Sequence, residues 1–267
     1  MTGKIKILSG WSNPGGSTVA HINLCNLFND NGLDCTFYGA HKWHLDKCKS
    51  DVLSNLQIQE SDTIICHYLK LDNSLFKCKK YIFSCHETDV LDLKQHGVPK
   101  CDFIHFVSES QRQWQNIDHF EVPIVVIPNV ISKLIKSPLG TGKAAVIGSI
   151  DSHKQTHLSI KRAWQDGYKM VYLFGNITAP AYFDKEVLPL IKTGKALHMG
   201  HIDNKQKMYD MIDVVYHSSK RETFNFIKAE CLVAGVSYNG LDSSESNAEY
   251  WPDEKIFKTW KTILLPQ

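Results

Sequence analysis

Short apolar segments alternate with amphipathic stretches along the chain, and the alternation runs twice. In the first run, residues 5–8, 35–38, 62–66, 80–84, 103–107 and 124–127 read as strands, and residues 17–31 as a helix with Val19, Ile22 and Leu27 on its apolar side and a stop at Gly32. Pro128-Asn129, Pro138, Gly140 and Gly142 then fall within fifteen residues, the strongest linker signal in the sequence. Beyond it, 144–147, 171–174, 196–199 and 214–216 read as strands between helical stretches at 157–165, 184–192 and 205–211. The tail, 252–265, reads as a helix with Ile256, Phe257, Trp260 and Ile263 on one side. Strand-helix alternation predicts a parallel sheet covered on both faces. The expected class is therefore α/β, with two doubly wound domains at 1–135 and 136–251 and a terminal helix at 252–267. A ligand is expected in a cleft between two such domains.

The length of 267 residues suits two domains of ordinary size, and 43% hydrophobic with 22% charged residues is a globular composition. No apolar run approaches the roughly 20 residues of a membrane span. Met1-Thr2-Gly3-Lys4-Ile5 leads straight into a strand, so no signal peptide is expected. Eight cysteines occur without a C-x-x-C pair, mostly beside apolar residues, which predicts buried reduced thiols in a cytoplasmic protein. Residues 1–135 carry 13 Lys/Arg against 14 Asp/Glu, a balance of −1; residues 136–267 carry 17 against 14, a balance of +3. Neither half has the excess of a dedicated nucleic-acid binder.

Three places carry candidate chemistry. Glu222 and Glu230 stand eight positions apart between a polar turn and the Gly235 stop. That spacing is a little over two helical turns and predicts both carboxylates along one face of one helix. A lone E-x7-E is usually an ordinary amphipathic helix, so its partners decide its meaning. Gly10 and the Gly15-Gly16 pair follow the first strand, where glycines let a phosphate or sugar approach backbone N–H groups and a helix end. Lys154 opens a helical stretch after the 144–147 strand, where a cation opposes the helix dipole unless an anion relieves it.

Other signals are weaker. Gly140-Thr141-Gly142-Lys143 lacks the first glycine and the Ser/Thr of a phosphate loop. His41-x-x-His44 lacks a companion pair for zinc, and no D-x-D triplet suggests a metal held by aspartates. His67 and His86 end strands on the side expected to face the ligand. Lys42, Trp43 and His44 combine cations with an aromatic and are candidates for an acceptor surface, polyanions included.

The ordered set of motifs resembles the retaining glycosyltransferases of the GT-B fold, family 4 in particular, over nearly the whole chain. The resemblance rests on the Gly-Gly turn, His86-Glu87-Thr88, Val107-Ser108-Glu109-Ser110, Ile127-Pro128-Asn129, and Ile147-Gly148-Ser149 with Lys154. It continues through Phe174-Gly175, Gly200-His201, Tyr216-His217-Ser218-Ser219 and the Glu222/Glu230 pair.

The resemblance implies two Rossmann-like domains facing a central cleft, with the terminal helix packing back on the N-terminal domain. It implies transfer of a sugar from a UDP- or GDP-sugar to a hydroxyl acceptor with retention, without a metal or other cofactor. Glu230 matches the residue that holds the ribose hydroxyls. Glu222 matches the one near the donor sugar, Lys154 the cation on the diphosphate, Gly15 and Gly16 the loop at the donor phosphate, and His86 a histidine near sugar and acceptor. Arg221, Thr223 and Phe224 fall in the donor-binding stretch. The family's arginine beside the glycine of the second domain is Ser149 in this chain, so a second diphosphate cation is expected from Arg221, Lys220 or His153. The glycine-rich stretch after the first glutamate is replaced by Phe224-Asn225-Phe226. The acceptor stays open between a surface glycan and a hydroxymethylated pyrimidine in DNA, as in phage-infected cells; near-neutral charge argues against DNA. A sugar-nucleotide epimerase and a non-catalytic sugar-nucleotide binding module are the alternatives.

Overall fold

Each run of alternation folds into its own parallel sheet. The structure is a computed structural model that describes residues 3–11, 15–67, 77–87, 100–115, 121–241 and 250–264. Thr88 of the His86-Glu87-Thr88 motif, and Ser12 to Pro14 of the glycine turn, lie outside the described residues. The chain divides into two units, Met1–Ile131 with Asn247–Gln267, and Ser132–Ser246.

The first unit contains strands β1 (Ile5–Ser9), β2 (Cys35–Gly39), β3 (Ser50–Val52), β4 (Thr63–His67), β5 (Lys80–Cys85), β6 (Phe103–Phe106) and β7 (Ile124–Val126). They form one parallel sheet in the order β3-β2-β1-β4-β5-β6-β7. Every residue of β1 and β4 is buried, because helices cover both faces of such a sheet. Lys6 is the exception in kind. Its ammonium lies 2.6 Å from Asp62, which also accepts the backbone N–H groups of Lys4 and Gln59. Burial pushes the Asp62 carboxyl up, but the ammonium and these N–H groups outweigh it and hold the group below its ordinary range.

The helix Gly16–Asp30 buries Ile22, Leu24, Cys25, Leu27 and Phe28 against the sheet. It ends where Gly32 takes φ +79° and Leu33 N–H reaches back to the Phe28 carbonyl at 2.9 Å. The terminal helix Asp253–Leu264 packs back on this unit, as the fold class predicts. Ile256, Trp260, Ile263 and Leu264 join its core, and the Trp260 ring meets Phe28 edge-on at 5.9 Å.

The second unit contains β8 (Ala144–Ile147), β9 (Val171–Phe174), β10 (Ala196–Gly200), β11 (Val214–His217) and β12 (Ser237–Gly240), parallel in the order β10-β9-β8-β11-β12. Alternate residues of β8 serve separate cores. Ala144 and Val146 face a cluster with Ile160, Ala163 and Leu173, while Ala145 and Ile147 face one with Met208, Tyr209 and Cys231. At the ends of β8, β9 and β10 the backbones touch. Gly148 N–H meets the Phe174 carbonyl at 2.9 Å and Gly175 N–H meets the Gly200 carbonyl at 2.8 Å. A Cβ on Gly175 would stand 1.9 Å from the Gly148 carbonyl oxygen, and Gly175 has φ +144°, so only glycine fits.

All eight cysteines are unbridged. Among the described residues no helix is long and apolar enough to cross a membrane.

Candidate functional site

The strand order reverses beside β8 in the second sheet, between β8 and β11. Loops leaving the C-terminal ends of such neighbours run to opposite faces and open a crevice between them. The two loops there carry Lys154 and Glu222.

Asp151 shapes the first loop. Its carboxylate accepts the N–H groups of His153 at 2.9 Å and Lys154 at 2.8 Å, and the hydroxyls of Ser149 at 2.6 Å and Thr178 at 3.1 Å. Burial raises the Asp151 carboxyl, and these donors more than offset it, so the group titrates below its ordinary range. The departure at Ser149 thus has a local role: it braces the turn. Gln155, the residue before the helix Thr156–Gln165, takes a left-handed φ of +49°, and this steep turn brings Lys154 round.

The second loop is tied to the first. Lys220 N–H donates to the His153 carbonyl at 3.0 Å, and the His153 ring lies 2.9 Å from the Arg221 carbonyl. From below, Arg162 donates to the His217 carbonyl and the Ser218 hydroxyl, both at 3.2 Å. These ties bring Lys154 Nζ to 2.5 Å from Glu222 Oε1, and His217 Nε2 to 3.0 Å from the same oxygen. The Glu222 side chain is 14% exposed and that of Lys154 25%. Burial pushes the Glu222 carboxyl up, but the Lys154 charge and the His217 contact outweigh it and hold the group at about 2. Glu222 is therefore an ionised acceptor near neutral pH.

Glu222 and Glu230 do not share a helix, which corrects the expectation from their spacing. The helix is Phe226–Ala234, and Asn225 caps it by accepting the Lys228 N–H at 3.0 Å. The Asn225 amide also donates to the Tyr238 hydroxyl at 2.6 Å. Asparagine is a strong cap, and it stops the helix three residues after Glu222. Thr223 is half-buried, Phe224 is buried with its ring 5.0 Å from Phe226, and Arg221 is exposed.

Glu230 lies inside the helix and is fully buried. Lys205 Nζ donates to one of its oxygens, and the Tyr209 hydroxyl to the other at 3.0 Å. Burial and the neighbouring carboxylate push the Tyr209 hydroxyl well above its ordinary value. Lys205 and Tyr209 open and close the helix Lys205–Tyr209, one turn apart on one face. Sequence reasoning passed over both; their i,i+4 spacing was the available signal. The Lys205 ammonium also lies 5.8 Å from the Phe226 ring.

In the first unit the strand order reverses between β1 and β4. Gly15 is extended and exposed, and Gly16 begins the long helix with no side-chain cap and no acidic residue in its first turn. Its first N–H groups thus form an anion-accepting end. His67 ends β4, with Nδ1 at 3.1 Å from Ser9 Oγ and Nε2 at 3.4 Å from Glu87. His86 follows β5 and is buried, its ring centroid 4.5 Å from that of His21 and 5.0 Å from that of His67. Burial, then the neighbouring imidazoles, push His86 well below its ordinary value, so its ring is neutral. His21 and His105 belong to this group and were not singled out from the sequence.

The acceptor candidates separate. His44 is fully buried with its ring 4.8 Å from Phe37, so it is a core residue rather than part of a surface. Trp43 packs partly against the same core, and Lys42 is exposed. Among the described residues no group of three or more His, Cys, Asp or Glu is placed to hold a metal ion.

No protein-family model matches the chain, and no curated protein matches it by sequence. Solved structures do. HepE of Anabaena, in complex with UDP and glucose, matches with a TM-score of 0.69 at 12% identity, over 90% of this chain and 81% of HepE. TarM matches with a TM-score of 0.69 at 10% identity, over 99% of this chain and 91% of TarM. WaaG, a glycosyltransferase involved in lipopolysaccharide biosynthesis, matches with a TM-score of 0.64 at 10% identity, over 97% of this chain and 90% of WaaG. Identity this low carries the architecture and nothing finer. Two successive parallel α/β sheets, matched by these structures along most of their length, make this chain a GT-B fold.

Proposed function

We propose that the chain is a glycosyltransferase that moves a sugar from a nucleotide-sugar donor to a hydroxyl acceptor, with retention and without a metal. The observation that carries this reading is the pairing of Lys154 with an ionised Glu222 where the sheet order reverses, ahead of the helix that carries the buried Glu230. A UDP-sugar is the favoured donor, since HepE was solved with UDP and with UDP-glucose.

The roles follow from charge. Breaking a sugar–phosphate bond builds negative charge on the leaving oxygen and positive charge on the sugar. Lys154 meets the former, and an ionised Glu222 suits the sugar. Glu230 is assigned to the ribose hydroxyls, which reach its buried carboxylate by displacing Lys205 or Tyr209. Arg221 supplies a second cation for the diphosphate. Holding donor and acceptor together accounts for much of the remaining rate. A glycan acceptor is favoured over DNA: neither half is strongly basic, and His44 is withdrawn into the core. Eight unbridged thiols suit a cytoplasmic setting.

Incubation with UDP-, GDP- and ADP-sugars, reading slow donor hydrolysis, tests the proposal. UDP release is expected from the wild type, reduced about 100-fold in Lys154→Ala and Glu222→Ala, the scale of losing one charge-stabilising group. Glu230→Gln is expected to weaken donor binding. Turnover untouched by all three changes sinks the site; no donor binding and no turnover sinks the function.

A further inference from the structure

Across the C-terminal ends of β5, β6 and β7, four groups form an unbroken line of hydrogen bonds. His105 Nε2 lies 2.8 Å from the Ile127 carbonyl oxygen. A carbonyl only accepts, so this nitrogen carries the proton. A neutral imidazole has one N–H, so His105 Nδ1 is bare and accepts from the Ser84 hydroxyl at 2.8 Å. Ser84 has now spent its only proton. Its oxygen lies 3.0 Å from His86 Nε2 and can only accept from it. Counting protons from the carbonyl outward leaves one solution: His86 is the Nε2–H tautomer, and Nδ1 is its acceptor.

The geometry is built into the sheet. Ser84 and His105 are register partners of β5 and β6, and Ser84 and His86 stand two residues apart on one side of their strand. The rings are packed in place, His105 at 4.8 Å from Trp260 and His86 at 4.5 Å from His21. Neutrality holds too: burial lowers His105 to about 4 and His86 well below its ordinary value.

We propose that Ser84 and His105 are positioning residues for His86, holding it as the Nε2–H tautomer with Nδ1 as the accepting nitrogen of its ring. The donor-turnover readout below rests on the glycosyltransferase reading; the tautomer does not. In this arrangement His86 does not act as an acid, because its one N–H is committed to Ser84. The direction is set by a carbonyl two strands away.

Long-range proton–nitrogen NMR spectra of isotope-labelled protein test it, with His86 identified in the wild type by sequential backbone-to-side-chain assignment. The wild type at neutral pH is expected to show a protonated Nε2 and a bare Nδ1. Ser84→Ala is expected to mix the two tautomers, and Ser84→Thr, which keeps the hydroxyl, to restore one. Donor hydrolysis in Ser84→Ala is expected to lose about tenfold in kcat, the scale of one neutral hydrogen bond, with the donor KM unchanged. A wild-type proton on His86 Nδ1 would overturn the proposal even if no variant folded, and so would a Ser84→Ala spectrum identical to wild type. The expected tautomer with no donor turnover supports the relay and removes the glycosyltransferase reading alone.

Discussion

At the scale of single residues, Glu222 ties the site to acidity. Its carboxyl ordinarily titrates near 4.5, and the Lys154 ammonium and His217 hold it at about 2 in the fold. A lowered folded value means the stabilisation is complete above the ordinary value and is lost as pH falls from 4.5 towards 2. Urea unfolding at descending pH checks this: wild type is expected to lose stability across that window more steeply than Glu222→Gln, by a total on the order of 2–3 kcal/mol. The two glutamates, Lys154 and His86 stood out as candidates in the sequence because each stands in a short motif at a strand end or helix. Lys205 and Tyr209 did not, because their partner Glu230 is 25 and 21 residues away. A lysine on a helix reads as solvated unless the fold is known to close over it. The same holds for Ser84 and His105, which read as ordinary strand residues until β5 and β6 are placed side by side.

Between elements, the sequence was least informative at boundaries and edges. β3 and β12 went unread, and both are outermost strands of their sheets. An edge strand needs little apolar sequence, and Ser50-Asp51-Val52 and Ser237-Tyr238-Asn239-Gly240 carry little. The E-x7-E spacing suggested a longer helix because periodicity ignores caps; Asn225 decides the start. The three-way backbone approach at Gly148, Gly175 and Gly200 is another element-scale fact, visible in sequence only as scattered glycines. Gly175→Ala is expected to cost at least about 2 kcal/mol, through a forbidden φ and a forced separation of β8 from β9. Thermal unfolding reads the loss. Gly140→Ala, where a Cβ meets nothing within 4 Å, serves as the comparison for left-handed backbone alone.

For the molecule as a whole, alternation and the proline–glycine linker were sufficient to read two parallel α/β units, since every central strand is apolar enough to be buried on both faces. The terminal helix was legible from its single apolar stripe, and it completes the first unit rather than the second. Trp260→Ala is expected to remove about 3–5 kcal/mol from the first unit, with Phe28 and His105 losing a ring contact. Calorimetry is expected to show one transition moving to lower temperature while that of the Ser132–Ser246 unit stays. This division of the chain has a consequence for synthesis. The second unit is one continuous segment, and its described strands are all present once residue 240 has left the ribosome. The first unit begins emerging earlier, yet its core waits for Trp260. The unit translated second is therefore the first able to finish folding, and a stalled nascent chain that stops short of residue 253 carries a complete second unit beside a first unit still missing its closing helix.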